Sequence, residues 1–184
     1  MSTRHQSGAL AVNSDQIASI FNAGVGEKNL TRVVGGKNEP IFIPSEESYD
    51  LIYYKEDYAS SALHEIAHWC IAGSNRRKLV DYGYWYKETR NLDEQKEFEF
   101  CETKPQALEW IFSEAAGMRY RVSVDNFSEI DTGCLGFREA VRNEALSRIN
   151  CLSGRALSFL VDLVSESGKK EALSRETYEM IPAC

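Results

Sequence analysis

The segment Ser61-Ala62-Leu63-His64-Glu65-Ile66-Ala67-His68-Trp69-Cys70 places two histidines and a glutamate in the spacing His-Glu-x-x-His. No glycine or proline occurs between Asp57, which can cap a helix, and Gly73, which can end one. On such a helix, positions i and i+4 share a face, so His64 and His68 can both reach one metal ion. The sequence therefore predicts a helix that carries part of a metal site.

The apolar residues of this helix favour a metal site over a pair of core histidines. At about 100° per residue, they gather on one face, and both histidines point away from it. That face consists of Ala59, Leu63, Ile66, Ala67 and Cys70. Glu65 lies beside the histidines, where metallopeptidases with this spacing have their general base. Two alternatives for Glu65 stay open, namely that it orients a ligand or that it faces solvent.

Two histidines do not complete a metal site, so a third protein ligand is needed. The chain contains three histidines, and the third is His5, near the N-terminus. The remaining ligand is therefore expected to be a carboxylate or a cysteine. Cys70 and Cys101 are candidates, although Cys70 falls on the apolar face, where a buried thiol is the commoner outcome.

A second long helix is expected within residues 93–117, with Pro105 opening it or lying in its first turn. Its predicted core stripe is Ala107, Leu108, Ile111, Phe112, Ala115 and Ala116. If the helix extends back through Pro105, its opposite face carries Glu102, Gln106 and Glu109. Glu102 or Glu109 could then face the histidines, or this face could be a solvated acidic surface.

The composition limits the class of protein to which this chain can belong. With 184 residues, of which 43% are hydrophobic and 27% charged, we expect one soluble domain over residues 13–184 after a disordered tail at 1–12. The net charge of −7 argues against nucleic acid as the main partner. No signal peptide and no membrane-spanning run is visible, and the five scattered cysteines are typical of free thiols. We therefore predict a cytoplasmic protein with no membrane contact.

Periodicity and turn residues predict a mixed fold. The predicted strands cover residues 31–34, 40–44, 51–54, 82–86 and 119–124. Besides the two helices above, we expect a short helix that Ser14 caps and that runs to about Asn22. We also expect three helical pieces from about 137 to 180, broken near Gly154 and Gly168. The expected fold class is α+β in a single domain, mostly helical with a small mixed sheet, and with the His-Glu-x-x-His helix at the core of the site.

Three blocks of the chain, in order, resemble the bacterial elongation factor P hydroxylase family. The blocks are Ser61–Gly73, Arg76–Tyr86 and Lys104–Trp110. The resemblance covers residues 30–127 well and the C-terminal helices loosely, and it is far more specific than the five-residue motif alone. Members of this family hydroxylate a lysine of elongation factor P that already carries a β-lysyl extension.

The resemblance implies a site and a chemistry. His64 and His68 match the metal-ligating histidines, Glu102 is the best match for the acidic ligand, and Glu109 is the second. Two histidines and one carboxylate with open positions suit non-haem Fe(II) and O₂. The arrangement differs from the His-x-Asp pattern of the 2-oxoglutarate oxygenases, so a requirement for 2-oxoglutarate is not implied.

Residues near the motif suit a cationic substrate. A β-lysylated lysine is a long cation, for which aromatic faces and carboxylates are suitable partners. Tyr82 and Tyr84 could supply aromatic faces, and Asp81 or Glu109 could supply a carboxylate. Alternating aromatic residues are also typical of sheet core, and that alternative stays open.

Three functions compete at this point. The favoured hypothesis is an Fe(II)- and O₂-dependent hydroxylase that acts on elongation factor P. The second is a zinc metallopeptidase with Glu65 as general base, which the His-Glu-x-x-His spacing alone would favour. The third is a non-catalytic module with a structural metal, disfavoured because structural zinc sites are usually closed and rich in cysteine.

Overall fold

The computed structural model describes residues 11–83, 90–124 and 134–184. The α-helices of this part are α1 (Ser14–Ala23), α2 (Val25–Lys28), α3 (Ala59–Ile71), α4 (Leu92–Ala115), α5 (Cys134–Arg148) and α6 (Gly154–Ser167). The strands are β1 (Thr31–Lys37), β2 (Ile41–Ile43) and β3 (Asp50–Lys55). Short 3₁₀ turns cover Arg76–Lys78, Val80–Gly83, Lys170–Leu173 and Arg175–Tyr178. This confirms the predicted α+β fold, mostly helical with a small mixed sheet.

The sheet has β3 at its centre, with β1 parallel to it and β2 antiparallel to it. Its inner side chains are fully or almost fully buried, and they are Val33, Phe42, Ile52 and Tyr54. β3 ends at Lys55 and α3 begins at Ala59, so the central strand leads almost directly into the helix that carries the histidines. Helix α3 also packs on β3 and β1, so the sheet covers one side of this helix.

Helix α4 is the centre of the helical part, since it packs against α3, α5 and α6. The core stripe predicted for it is confirmed, because all six of its residues are fully buried. The predicted breaks near Gly154 and Gly168 are also confirmed, and Gly168 ends α6 in the left-handed region with φ 74°. The backbone N–H of Val12 donates to the carbonyl of Ala116, and its side chain is buried. The core therefore reaches one residue beyond the predicted boundary at 13.

The predicted helix starts need correction. Asn13 caps α1 in a capping box with Gln16, and Ser14 is the first helical residue instead of the cap. Helix α3 follows Tyr58 with no side-chain cap, so Asp57 does not cap it. Helix α4 begins much earlier than Pro105, because Asn91 caps it through the N–H groups of Asp93 and Glu94. Pro105 lies inside α4, so the helix lacks one backbone N–H donor at this position.

The prediction of a strand at residues 119–124 is wrong, and the strand predicted at 82–86 does not begin at Tyr82. Residues 119–124 form no strand, because backbone groups of Val122 and Ser123 form hydrogen bonds outside any sheet. The N–H of Val122 donates to Ala183, and the Gln106 side chain binds both the N–H and the carbonyl of Ser123. Tyr82 lies in a 3₁₀ turn with φ 57°, which is no strand conformation. The rest of that predicted strand, residues 84–86, lies outside the described residues.

The prediction that all cysteines are free thiols is wrong. Cys70, Cys101 and Cys151 form no disulfide bond, whereas Cys184 is disulfide-bonded. The spacing of cysteines along the chain does not report which thiols meet in space. The cysteine pattern therefore gives no support to a reducing compartment, and the cytoplasmic location stays a prediction. Over the described ranges, no helix has the length and apolar character needed to cross a bilayer.

Candidate metal centre

The packing of α3 against α4 brings His64, His68 and Glu102 together. One ligand atom from each residue lies within 4.8 Å of the others. The Nε2 atoms of His64 and His68 are 3.1 Å apart. Glu102 approaches them with Oε2 at 3.4 Å from His64 Nε2 and Oε1 at 3.3 Å from His68 Nε2. We call these three residues the ligand cluster.

The distances within the ligand cluster fit a bound transition-metal ion. Two donor atoms that each lie about 2.1 Å from one ion are about 3.0 to 3.4 Å apart when they subtend about 90 to 110°. The separations between the Nε2 atoms and the Glu102 oxygens are 3.1 to 3.4 Å. Two imidazole nitrogens and a carboxylate also form a donor set typical of non-haem iron and of catalytic zinc. The spacing of these donor atoms therefore suits such an ion.

Glu109 lies behind His64 instead of in the ligand cluster. Its Oε2 is 2.8 Å from Nδ1 of His64, on the other side of the imidazole from Nε2. In the tautomer that donates from Nδ1 to this carboxylate, Nε2 presents its lone pair to the cluster. The contact thus orients a ligand-type histidine in the way that carboxylates commonly do in metal sites.

The acidic face of α4 is buried. Glu102, Gln106 and Glu109 are 2%, 1% and 8% exposed, respectively. The alternative of a solvated acidic surface is therefore wrong. The i, i+4, i+7 spacing predicted that these residues share a face, and the structure shows that this face packs inward.

The electrostatic environment of the ligand cluster favours a cation. Burial of His64 opposes its positive charge, but the hydrogen bond to Glu109 and the charges of Glu109, Glu102 and Glu65 outweigh burial and raise the pKa of His64 to about 10. Without an ion, the cluster therefore holds a proton on His64. A divalent ion would displace that proton and take over its role in neutralising the carboxylates.

Glu65 borders the ligand cluster without joining it. Its side chain is partly buried. Burial raises the pKa of Glu65, and the charges of His64 and His68 act in the opposite direction. A carboxyl group with a raised pKa beside a metal site is able to take up and release a proton at higher pH than a solvent-exposed glutamate.

The residues predicted to contact substrate lie in different surroundings. Asp81 is partly buried, and its Oδ1 accepts a hydrogen bond of 2.8 Å from the N–H of Phe42. Burial raises the pKa of Asp81, although that hydrogen bond and the charge of His68 lower it. Tyr82 is 3% exposed, and its ring lies nearly parallel to those of Phe42 and His68. Tyr84 lies outside the described residues.

The cysteine alternatives for the third ligand gain no support. Burial raises the pKa of Cys70 to about 12, so its thiol stays protonated at neutral pH and is a poor ligand. Cys101 forms no disulfide bond. In the part of the chain that the structure covers, the residues grouped at ligand distance are two histidines and a glutamate, with no cysteine.

Two residues support the site through contacts that the sequence does not predict. Gln106 accepts at Oε1 from the Tyr120 hydroxyl at 3.2 Å and from the Ser123 N–H at 3.0 Å, and it holds the segment after α4 in place. Arg155 of α6 donates from Nη2 to three carbonyls at the C-terminal end of α3. These carbonyls belong to Trp69, Cys70 and Ala72. Gln106 could have been found from its position between Glu102 and Glu109, whereas Arg155 has no local signal.

The fold and the site define a class of protein, namely a His-Glu-x-x-His protein in which a glutamate from a second helix completes a possible metal site. The sequence model of the family described as elongation factor P hydroxylase matches residues 20–178. A curated relative, the elongation factor P lysine hydroxylase of Haemophilus influenzae, is 47% identical over 130 residues, which are 69% of this chain and 73% of the relative. The chain belongs to the elongation factor P hydroxylase family, and it is an enzyme of the hydroxylase type.

Proposed function

We propose that this enzyme hydroxylates a lysine of elongation factor P that carries a β-lysyl extension, with Fe(II) in the ligand cluster and O₂ as co-substrate. Family membership supports the reaction and the protein substrate. The observation that carries the metal assignment is the convergence of His64, His68 and Glu102 at separations of 3.1 to 3.4 Å. Such a donor set leaves positions open for O₂, as in other non-haem iron oxygenases.

In this proposal, His64 and His68 hold the ion with Nε2, and Glu102 holds it with its carboxylate. Fe(II) in that position would activate O₂ for insertion of one oxygen atom into a lysine C–H bond. Glu109 keeps the His64 imidazole in the tautomer and orientation that ligation needs, through the 2.8 Å contact at Nδ1. The proposal thus assigns Glu102 to the metal and Glu109 to the support of a ligand.

Glu65 is the proposed proton-transfer residue. Insertion of one oxygen atom from O₂ into a C–H bond releases the other oxygen as water, and it consumes two protons and two electrons from an external reductant. The partly buried carboxyl of Glu65, whose pKa burial raises, can pass such protons to the site. Since the donor set is not the His-x-Asp arrangement, 2-oxoglutarate is not part of the proposal.

Carboxylates near the cluster are proposed to recognise the cationic extension of the substrate. Asp81 is close enough to the ligand cluster for its pKa to respond to the charge of His68. An ammonium group beside Asp81 would stabilise the charged form of this carboxylate, which burial disfavours. Glu109, Tyr82 and Tyr84 stay predicted substrate contacts of lower rank, and the 3% exposure of Tyr82 leaves it little surface for a substrate.

The zinc metallopeptidase is the alternative, and family membership favours the hydroxylase over it. The remaining expectations belong to the proposal as well. These are a cytoplasmic location, elongation factor P as the partner, and the absence of nucleic acid and membrane contacts. The net charge of −7 supports the expectation about nucleic acid.

The test combines metal analysis with the mass of the product. The protein is purified anaerobically, its metal content is measured, and it is incubated with β-lysylated elongation factor P, O₂ and a chemical reductant, with and without 2-oxoglutarate. We expect iron in the protein and the gain of one oxygen atom by the β-lysylated form, independent of 2-oxoglutarate. Unmodified elongation factor P and the Glu102→Gln variant are the controls. Zinc, peptide cleavage and no gain of oxygen would overturn the proposal.

A further inference from the structure

The two histidines of the ligand cluster are held in different ways. The His64 imidazole is fixed from behind by Glu109, which lies 2.8 Å from Nδ1. His68 has its Nε2 in the cluster, but across the described residues its Nδ1 has no hydrogen-bond partner from the protein. Metal-ligating histidines nearly always have such a partner, because it fixes the plane of the ring. A ring packed on the face of the imidazole also restrains the plane of His68.

The Tyr82 ring supplies that contact. It lies nearly parallel to the His68 imidazole, with an angle of 9° between the planes and 6.3 Å between the ring centroids. The Tyr82 ring also stacks on Phe42 with 13° between the planes and 4.4 Å between the centroids. Offset-stacked aromatic pairs have centroids about 4.5 to 7 Å apart, so the His68 contact lies within that range and the Phe42 contact is slightly closer. Tyr82 thus has near-parallel ring contacts with the sheet residue Phe42 and with His68.

Two hydrogen bonds hold the turn that carries Tyr82 in a strained backbone conformation. Asp81 and Tyr82 have φ of 47° and 57°, a region that non-glycine residues rarely adopt. The carboxylate of Asp81 accepts the N–H of Phe42, and Arg76 donates to the carbonyl of Tyr82 at 3.0 Å. Strain of this kind persists only where surrounding contacts enforce it, and it concentrates at functional sites. Here the enforced conformation places the Tyr82 ring against His68.

We propose that Tyr82 is a positioning residue, whose ring sets the plane of the His68 imidazole and so the direction from which Nε2 reaches a metal ion. The inference rests on the proposed metal role of the ligand cluster. The ring carries this role and the hydroxyl does not, because the Tyr82 hydroxyl is buried with no hydrogen-bond partner within the described ranges. Phenylalanine at this position therefore preserves the function, and a branched aliphatic residue does not.

The test measures Co(II) binding and the visible absorption bands of bound Co(II), which report the geometry of its ligands. The full chain is compared with Tyr82→Leu, Tyr82→Phe and the control Phe21→Leu. Phe21 is also a buried aromatic residue, but it packs on Trp69 and Phe159, away from the ligand cluster. Circular dichroism establishes that each variant is folded.

We expect Tyr82→Leu to bind Co(II) about 10- to 100-fold more weakly, with shifted bands, as for the loss of other supporting contacts to metal ligands. Tyr82→Phe should match the wild type. Phe21→Leu should lose thermal stability with unchanged Co(II) affinity and bands. If folded Tyr82→Leu has the affinity and spectrum of the wild type, or if Phe21→Leu changes them equally, the positioning role is wrong.

Two further outcomes also decide whether Tyr82 has the positioning role. If Tyr82→Leu does not fold, Asp81→Ala takes its place, because it removes the hydrogen bond to Phe42 and leaves the Tyr82 ring intact. A weaker affinity with shifted bands then supports the positioning role, and unchanged binding overturns it. If the wild type itself fails to bind Co(II), the proposed metal site is wrong and the positioning role falls with it.

Discussion

The imidazole of His64 is hydrogen-bonded to Glu109, with Nδ1 and Oε2 2.8 Å apart, on the side opposite to the nitrogen that faces His68. Glu102 lies on the other side of the same ring, with Oε2 at 3.4 Å from Nε2. The two glutamates share one face of α4, yet they approach different nitrogens of one histidine. This relationship separates a residue that can bind a metal from a residue that can orient a ligand.

The first prediction distinguishes these two glutamates. Glu102→Gln should abolish metal retention, because it replaces the charged ligand by a neutral amide. Glu109→Gln should weaken metal binding by about 10- to 100-fold only, because the orienting hydrogen bond is altered while the donor set remains. Metal content after anaerobic purification and a Co(II) titration measure both effects.

Glu97→Gln is the matched control for this pair, since Glu97 is an exposed glutamate on the same helix. It should leave metal binding unchanged. If Glu109→Gln empties the site while Glu102→Gln keeps its metal, the proposed ligand is wrong and Glu109 takes its place.

The second prediction concerns Glu65, which lies beside the ligand cluster but outside it. Glu65→Gln should keep the metal and lower the rate of oxygen gain by elongation factor P by about 100- to 10,000-fold, because the amide cannot transfer protons. Metal content and the rate of product formation are measured on the same preparation. A wild-type rate would remove Glu65 from the mechanism, and loss of metal would assign it to metal binding.

The third prediction tests the support of the acidic face. Gln106→Leu should lower the free energy of unfolding by about 2 kcal/mol, because the buried Tyr120 hydroxyl and the backbone of Ser123 lose their partner. Urea denaturation measures the change.

Thr103→Ala on the same helix is the control for Gln106→Leu. Within the described residues, the Thr103 hydroxyl donates to the carbonyl of Glu99, one turn back, so its removal should change stability by less than about 0.5 kcal/mol. Equal effects of the two variants would show that Gln106 has no special role in stability.

The fourth prediction concerns the C-terminal end of α3. Arg155→Met should lower the free energy of unfolding by about 2 to 4 kcal/mol, because the carbonyls of Trp69, Cys70 and Ala72 lose a charged donor at the negative end of the helix dipole. Thermal or urea unfolding measures the loss, and Arg121→Met, at an exposed position, is the control. A difference within about 0.5 kcal/mol between the two variants would contradict this role.

Local patterns predicted the elements that carry the site. The apolar period of α3 and α4 identified both helices and the buried stripe of α4, because a helix repeats its faces at a fixed angle. Counting histidines restricted the third ligand to a carboxylate or a thiol, and spacing placed Glu102 and Glu109 on one face. These steps need only the geometry of a single helix.

Local patterns failed where several segments compete for the same partners. Ser14 and Asp57 are suitable caps, yet Asn13 caps α1 and no side chain caps α3. Residues 119–124 have the composition of a strand, but Gln106 and Ala183 take up backbone groups of Val122 and Ser123. The disulfide of Cys184 was missed for the same reason, since it depends on a distance in space.

The sequence by itself determined the two histidines of the ligand cluster, the helix that presents them and the family to which the chain belongs, because all three depend on residue identity and short spacing. Only the tertiary structure decided how the acidic residues divide their roles. The packing of α4 on α3 places Glu102 at the Nε2 atoms and Glu109 at Nδ1 of His64. The packing of the turn Val80–Gly83 on β2 places Tyr82 against His68, with the imidazole and phenol planes nearly parallel. These relations depend on how separate elements pack, and no spacing within one element encodes them.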